Sequence, residues 1–214
     1  PRPFKQSGEP AVAYNRKKGG VVMKEIGAGI LAGGRSSRLG QDKAFLQWDG
    51  QSLLERTIQA CRGFEQVLVS VDRKERFAHL AEQMVEDELQ NFGPVEGIYQ
   101  LLRACQTPHL LIVATDMPYL QPEFLHRLAN TLEPWMQALV LRVKGQLEPL
   151  CSIYSKEALP YLHQMRQAGV HQIRPLYEKV QTAYVDLETL GAPENLVENI
   201  NTQADYQALL QGKS

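Results

Sequence analysis

Between Gly29 and Phe45 the chain reads GILAGGRSSRLGQDKAF, an apolar run that breaks into glycines and then presents cations. Gly33 and Gly34 tolerate positive φ and let backbone N–H groups come close to an anion. Arg38 and Lys43 then stand where a phosphate chain would lie. This composition predicts a cradle for a polyphosphate; the plainer alternative is a glycine-rich turn with solvated arginines. It is neither a P-loop, since no Gly-Lys-Ser/Thr is present, nor a Gly-x-Gly-x-x-Gly that opens a helix. Gly27 and Gly29 fall inside the apolar run. A second feature, Thr115-Asp116-Met117-Pro118, closes another apolar run. A hard carboxylate at Asp116 suits Mg²⁺, which takes one or two carboxylates and leaves its other positions to phosphates and water. An aspartate beside a proline also caps turns, but together with the glycine loop it predicts the metal.

Both features act together only if they leave one sheet edge. Ile26–Leu31 (IGAGIL) reads as a first strand, buried on both faces. Leu53, Leu54, Ile58 and Cys61 then recur on one helical face. Gln66–Val71 (QVLVSV) is a second strand, DRKERFAHLAEQ after it reads as helical, and MVED is a brief third strand. Val95, Ile98, Leu101, Leu102 and Cys105 form a helical stripe, His109–Thr115 (HLLIVAT) is a buried strand, and Pro122 opens a further helix. Strands and helices alternating at this spacing predict right-handed crossovers and a parallel sheet. In the second half, WMQALVLRV and LEPLCSIY flank Lys144-Gly145-Gln146, a hairpin signal. VQTAYVDL is a late strand, and a last helix runs from a cap at Thr202 to Gly212. The expected fold is a three-layer, mostly parallel Rossmann-like α/β sheet with helices on both faces and an antiparallel hairpin in its second half. Ligands of such sheets bind beyond the carboxyl ends of the strands.

The 214 residues suit one domain, read as 25–214, preceded by a polar leader, Pro1 to Lys24, with Arg16-Lys17-Lys18 and a candidate start at Met23. A net charge of −1 leaves no general polyanion-binding surface, so no nucleic-acid partner is expected. No apolar run is long enough for a membrane span, so no membrane partner is expected either. Cys61, Cys105 and Cys151 are widely spaced, which fits free thiols in a reducing cytoplasm. The five histidines lack metal spacing, and Trp48 and Trp135 read as packing residues.

LAGGRSSRLGQDKAFL closely resembles the signature Leu-Ala-Gly-Gly-x-Ser-x-Arg-Met-Gly-x-Asp-Lys of molybdenum cofactor guanylyltransferases, with Leu39 in place of methionine. The resemblance continues through VEDELQNFGPVEGI, ATDMPYL, EPLCSIY and NINTQADY. It implies a nucleotide-diphospho-sugar transferase-like fold and transfer of GMP from GTP to the phosphate of molybdopterin, or its molybdenum-loaded form, with Mg²⁺ as cofactor. Leu31, Ala32, Gly33 and Gly34 would hold the nucleotide through main-chain groups, and Lys43, Arg38 and Asp116 would carry the chemistry. Asp87 matches a nucleotide-binding acid, and Gly93-Pro94 the turn beside the base. Where the family usually has asparagine, this chain has Ser70, whose shorter hydroxyl cannot copy two-ended amide bonding. Glu148, Asn199 and Asn201 fall in segments that line the pterin face. On residue chemistry alone, Asn199 and Asn201 equally suit a fixed loop, and Glu148-Pro149 a hairpin end. Asp42 either orients Lys43, shares the metal or makes a plain ion pair. Partners implied are GTP, molybdopterin and other molybdenum-cofactor biosynthesis or acceptor proteins. The rival readings are a CTP-dependent cytidylyltransferase of the same plan, whose loop typically reads Leu-Ala-Ala-Gly, and a non-catalytic GTP-binding carrier or adaptor.

Overall fold

A computed structural model describes residues 25–32, 42–77, 80 and 83–212. The leader expected over Pro1 to Lys24, and Gly33, Gly34 and Arg38 of the glycine loop, lie outside the described residues.

A seven-stranded sheet forms the centre. Its strands are β1 (Ile26–Leu31), β4 (Val67–Val71), β5 (Gln83–Glu86), β6 (His109–Ala114), β7 (Ala138–Val143), β8 (Gln146–Ser155) and β9 (Thr182–Asp186), in spatial order β5-β4-β1-β6-β8-β7-β9. A two-residue ribbon, β2 (Gln47–Trp48) with β3 (Gln51–Ser52), stands apart. Among the described strands of the large sheet, β8 alone runs against its neighbours, inserted between β6 and β7. The hairpin turn is Lys144-Gly145, both with positive φ, the geometry whose twist matches flanking strands. The expected mixed, mostly parallel sheet is therefore present.

Alternation along the strands explains the three layers. Ile26, Ala28 and Ile30 of β1, with Leu111 and Val113 of β6, face one cluster that includes Leu54 and Ile58 of α1 (Leu53–Cys61) and Phe124 and Leu128 of α3 (Pro122–Asn130). Leu110 and Ile112 face the other way, toward Ile98 and Leu101 of α2 (Pro94–Ala104) and Leu162 of α4 (Leu159–Gln167). Period-two side-chain direction thus sends each strand's apolar residues to both faces, as parallel strands covered by helices require. Gly29 belongs to the α2 face: a Cβ there would lie 2.8 Å from Leu110 and 3.0 Å from Leu101. Its bareness lets α2 sit close to the sheet. Among the described residues, no helix is long and apolar enough to cross a membrane.

A third, smaller cluster joins the ribbon to α5 (Gln203–Leu210): Leu46 and Leu53 bury Ile200 and Leu209, with Trp48 and Tyr206 against them. Thr202 and Asp205 close a capping box at the start of α5, as the sequence suggested. Three expectations are corrected. In the segment expected as the helix DRKERFAHLAEQ, the described residues form a short 3₁₀ turn, Lys74–Phe77. Its Arg76 pairs both with nearby Asp72 and with Asp42, which is remote in the chain. Glu148-Pro149 does not end the hairpin, because β8 continues to Ser155. The register slips there instead: Leu139 faces Ile153 but Leu141 faces Glu148. Ser152 fills the gap, its hydroxyl donating to the Glu148 carbonyl and accepting from Leu141 N–H, as at a bulge near a functional edge. Trp135 is half exposed rather than packed.

Candidate functional site

The strand order reverses at β1. After β1 the chain moves outward to β4 and β5, then α2 returns it across the opposite face to β6, on β1's other side. The crevice beyond the carboxyl ends of β1 and β6 is the switch point where such sheets bind ligands. Leu31 and Ala32 close β1 there, and Thr115-Asp116 closes β6. Thr115 ties the two ends together by donating its N–H and hydroxyl to the Leu31 carbonyl.

Lys43 enters from a 3₁₀ turn, Lys43–Phe45, that starts on Asp42. The Asp42 carboxylate accepts from Ala44 N–H at 3.0 Å and pairs with Arg76, so it anchors the turn from which Lys43 projects. The Lys43 ammonium donates to Asp116 Oδ2 at 2.8 Å and to Asn201 Oδ1 at 2.8 Å. Asn201 is held in turn from behind: its N–H donates to Asp205 of the capping box, while neighbouring Ile200 donates its N–H to the Asp116 carbonyl at 2.8 Å. Residues 43, 116 and 201, remote in sequence, therefore meet at one point. Asp116 Oδ1 is buried and has no hydrogen-bond partner among the described residues. A buried carboxylate oxygen left unpaired is costly, and its donor chemistry fits a hard divalent cation. Among the described residues no group of three or more His, Cys, Asp or Glu could form a complete metal cage.

On one flank, at the ends of β4 and β5, Ser70 is buried beneath α2 and donates its hydroxyl to Asp87 Oδ1 at 2.7 Å. Burial raises the Asp87 carboxyl to about 6, with Glu96 and Asp72 adding to the rise while Ser70 and Arg166 oppose it. Gly93 takes φ 96° and precedes Pro94 at the first turn of α2, a backbone state that favours glycine. The backbone beside Asp87 is held by Glu96, which is fully buried. Its Oε1 accepts from Glu88 N–H, Leu89 N–H and Gln100, and its Oε2 pairs with Arg166 at 2.5 Å. Sequence reasoning missed Glu96 and Arg166. The signal available was a lone charge amid the apolar helix PVEGIYQLL.

On the other flank, Glu148 lies half-buried in the bulge. Asn199 donates to its Oε2 at a long 3.5 Å, and burial, then the nearby Asp116 charge, raises its carboxyl above the ordinary range. Beside it opens a groove of about 360 Å³ lined by Val143, Lys144, Glu194 and Glu198. The structure thus brings Lys43, Asp116 and Asn201 into contact, pairs Ser70 with Asp87, and pairs Glu148 with Asn199.

A doubly wound sheet with a lysine and an aspartate converging at its switch point defines a nucleotidyltransferase-like α/β protein. The model of the MobA-like NTP transferase domain matches residues 28–183, and the chain belongs to that family. A protein of Carboxydothermus hydrogenoformans named "Probable molybdenum cofactor guanylyltransferase" is 33% identical over 194 residues, covering 88% of this chain and 97% of the relative. One of the same name from Bacillus subtilis is 29% identical over 191 residues, covering 87% and 95%. Among solved structures, molybdopterin-guanine dinucleotide biosynthesis protein A from Archaeoglobus fulgidus superposes with a TM-score of 0.76 at 23% identity, over 86% of this chain and 96% of that one. A 4-diphosphocytidyl-2C-methyl-D-erythritol synthase from Anaerococcus prevotii reaches 0.67 at 15% identity, covering 88% and 96%. At these identities the superpositions establish the fold.

Proposed function

We propose that this chain transfers GMP from GTP to the terminal phosphate of molybdopterin, or of its molybdenum-loaded form. A phosphate oxygen of the acceptor attacks the α-phosphorus, the bond from that phosphorus to the β-phosphate's bridging oxygen breaks, and pyrophosphate leaves. The nucleophile is already anionic, so the step asks for alignment and charge neutralisation rather than a general base. The observation that carries this reading is Asp116, whose one oxygen meets Lys43 while the other is buried and has no partner among the described residues. Mg²⁺ bound there would supply Lewis-acid neutralisation of the triphosphate oxygens. Lys43 places a second positive charge beside it, and Asn201 fixes where that ammonium sits. Arg38, Gly33 and Gly34 complete the phosphate cradle in this reading.

Base choice follows from Asp87. Guanine presents two neighbouring donors, N1–H and the 2-amino group, to the one oxygen of an ionised Asp87 that Ser70 leaves free. Cytosine sets its N3 acceptor against the same group, a repulsive match. Leu31 and Ala32 supply main-chain groups and Gly93-Pro94 the turn beside the base. Glu148 and Asn199 offer acceptor and donor to a pterin edge.

The test is incubation of the protein with GTP, Mg²⁺ and molybdopterin, followed by assay of pyrophosphate and dinucleotide. Both products are expected, with CTP far slower. Faster turnover with CTP would transfer the assignment to a cytidylyltransferase. GTP binding without pyrophosphate would make the chain a carrier.

A further inference from the structure

We infer that Ser70 is a positioning residue for nucleotide recognition, acting through Asp87 rather than on the nucleotide itself. The inference rests on the proposed role of Asp87 in reading guanine.

Ser70 is in no position to meet a ligand. Its side chain is 1% exposed, its backbone carbonyl accepts from Ala32 N–H, and it pairs in register with Leu31 on one side and Val85 on the other. From above, α2 presses on it: a Cβ at Gly97 would lie 2.9 Å from Ser70 Oγ and 2.5 Å from Leu31 Cδ2. Gly97 and the small serine together let the helix close over this point. A hydroxyl sealed in this way must find a partner, and it donates to Asp87 Oδ1 at 2.7 Å. Asp87 Oδ2 makes no hydrogen bond among the described residues, while the Asp87 N–H and carbonyl are held by Val71 and Gln90. One carboxylate oxygen is thus pinned inward and the other is left for a ligand.

The hydroxyl also favours the charged form. Asp87 is faced by Glu96 of α2 and by Asp72 beyond β4, both adding negative charge, and by Arg166 of α4, which opposes them. Arg166 is itself engaged by Glu96 and Glu88. The Ser70 hydrogen bond is the nearest group holding the carboxylate ionised against burial. A protonated carboxyl would set an O–H against guanine's own donors, so the ionised form is the better acceptor, and Ser70 sets both the direction and the charge of Asp87.

The experiment measures GTP affinity by calorimetry, with Mg²⁺ present, from pH 5 to 8. Wild type, S70A, D87A and the S70A/D87A double variant are compared. S70A is expected to bind GTP about fivefold more weakly at pH 7, with the midpoint of its pH dependence raised above that of the wild type. In the D87A background the same substitution is expected to cost nothing, because its effect runs through the missing carboxylate. S70C, close in size but a weak donor, should move the midpoint in the same direction, and it serves where S70A folds poorly. An unchanged midpoint in both Ser70 variants, or an equal loss with and without Asp87, would overturn the inference and leave the assigned reaction standing. Absence of GTP binding by the wild type would instead remove the reading beneath it.

Discussion

The two flanks of the crevice are built differently. On the β4–β5–α2 flank, polar groups are buried and paired: Ser70 with Asp87, and Glu96 with Arg166 and two backbone N–H groups. On the β7–β8–β9 flank a bulged strand borders an open groove. Its charges reach water, Lys144 with Glu194 and Arg142 with Asp186. Buried networks fix geometry because every unsatisfied member is penalised, whereas exposed pairs are screened and adaptable. The first flank therefore suits a small, rigid base recognised by fixed donors and acceptors. The second suits a larger partner that finishes the site itself. Lys43 and Asp116 stand on the border, where the two substrates would react.

That border predicts the largest effect. D116N keeps the backbone carbonyl that Ile200 uses but removes the charge opposite Lys43. Turnover is expected to fall about a thousandfold, with the melting temperature little changed. Near-normal turnover would remove Asp116 from the chemistry and make the crevice a binding site alone.

The next largest separates buried from exposed charge. R166M leaves Glu96 buried without its cation, a loss of about 3 kcal/mol in unfolding free energy. R142M, on the exposed flank, is expected to cost under about 1 kcal/mol despite its two-pronged contact with Asp186. Denaturant titration of the two variants checks the contrast. Equal losses would mean the flanks do not differ in the way described.

A smaller effect comes from pH. The Asp87 carboxyl sits at about 6, raised by burial, so it is mostly ionised at pH 7 and mostly protonated at pH 5. A protonated carboxyl offers an O–H where guanine also offers donors. GTP affinity is therefore expected to fall about tenfold from pH 7 to pH 5, and D87N should flatten that profile. A profile that survives D87N would place the titration elsewhere.

How much of this was legible beforehand follows the same division. Strands buried on both faces announced themselves as apolar runs, and the α1 and α2 stripes recur at helical spacing, so the sheet and its layers were readable. Asp116 and Lys43 were readable as chemistry, and the expectation that both leave the carboxyl edge of the sheet agrees with their contact at 2.8 Å. Their contact with Asn201 was less so, since residue chemistry alone left that asparagine as either ligand-facing or loop-fixing. The bulge at Glu148 was hidden because a register slip depends on the partner strand, not on local sequence. Arg76 reads as a helical surface charge until Asp42, remote in the chain, is brought beside it. Glu96 is the sharpest case: its place amid an apolar helix hinted at burial, but its partner Arg166 is supplied by α4 and could not be read locally.

The open flank gives the finest test, because its contribution must be specific to one substrate. Glu148 is tied to Asn199 by a long hydrogen bond and lies near Asp116, and among the described residues no hydrogen bond or ion pair links it to Ser70, Asp87 or Gly93 on the other flank. E148Q preserves size and can still accept from Asn199, but it removes one negative charge and half of the acceptor capacity. If Glu148 meets the pterin, KM for molybdopterin should rise about fivefold while KM for GTP stays within twofold. Steady-state kinetics with each substrate varied in turn reads the split directly. A matching rise in both KM values would mean that Glu148 acts through Asp116 on the shared centre. The division of the crevice into a closed nucleotide side and an open acceptor side would then fail at that residue.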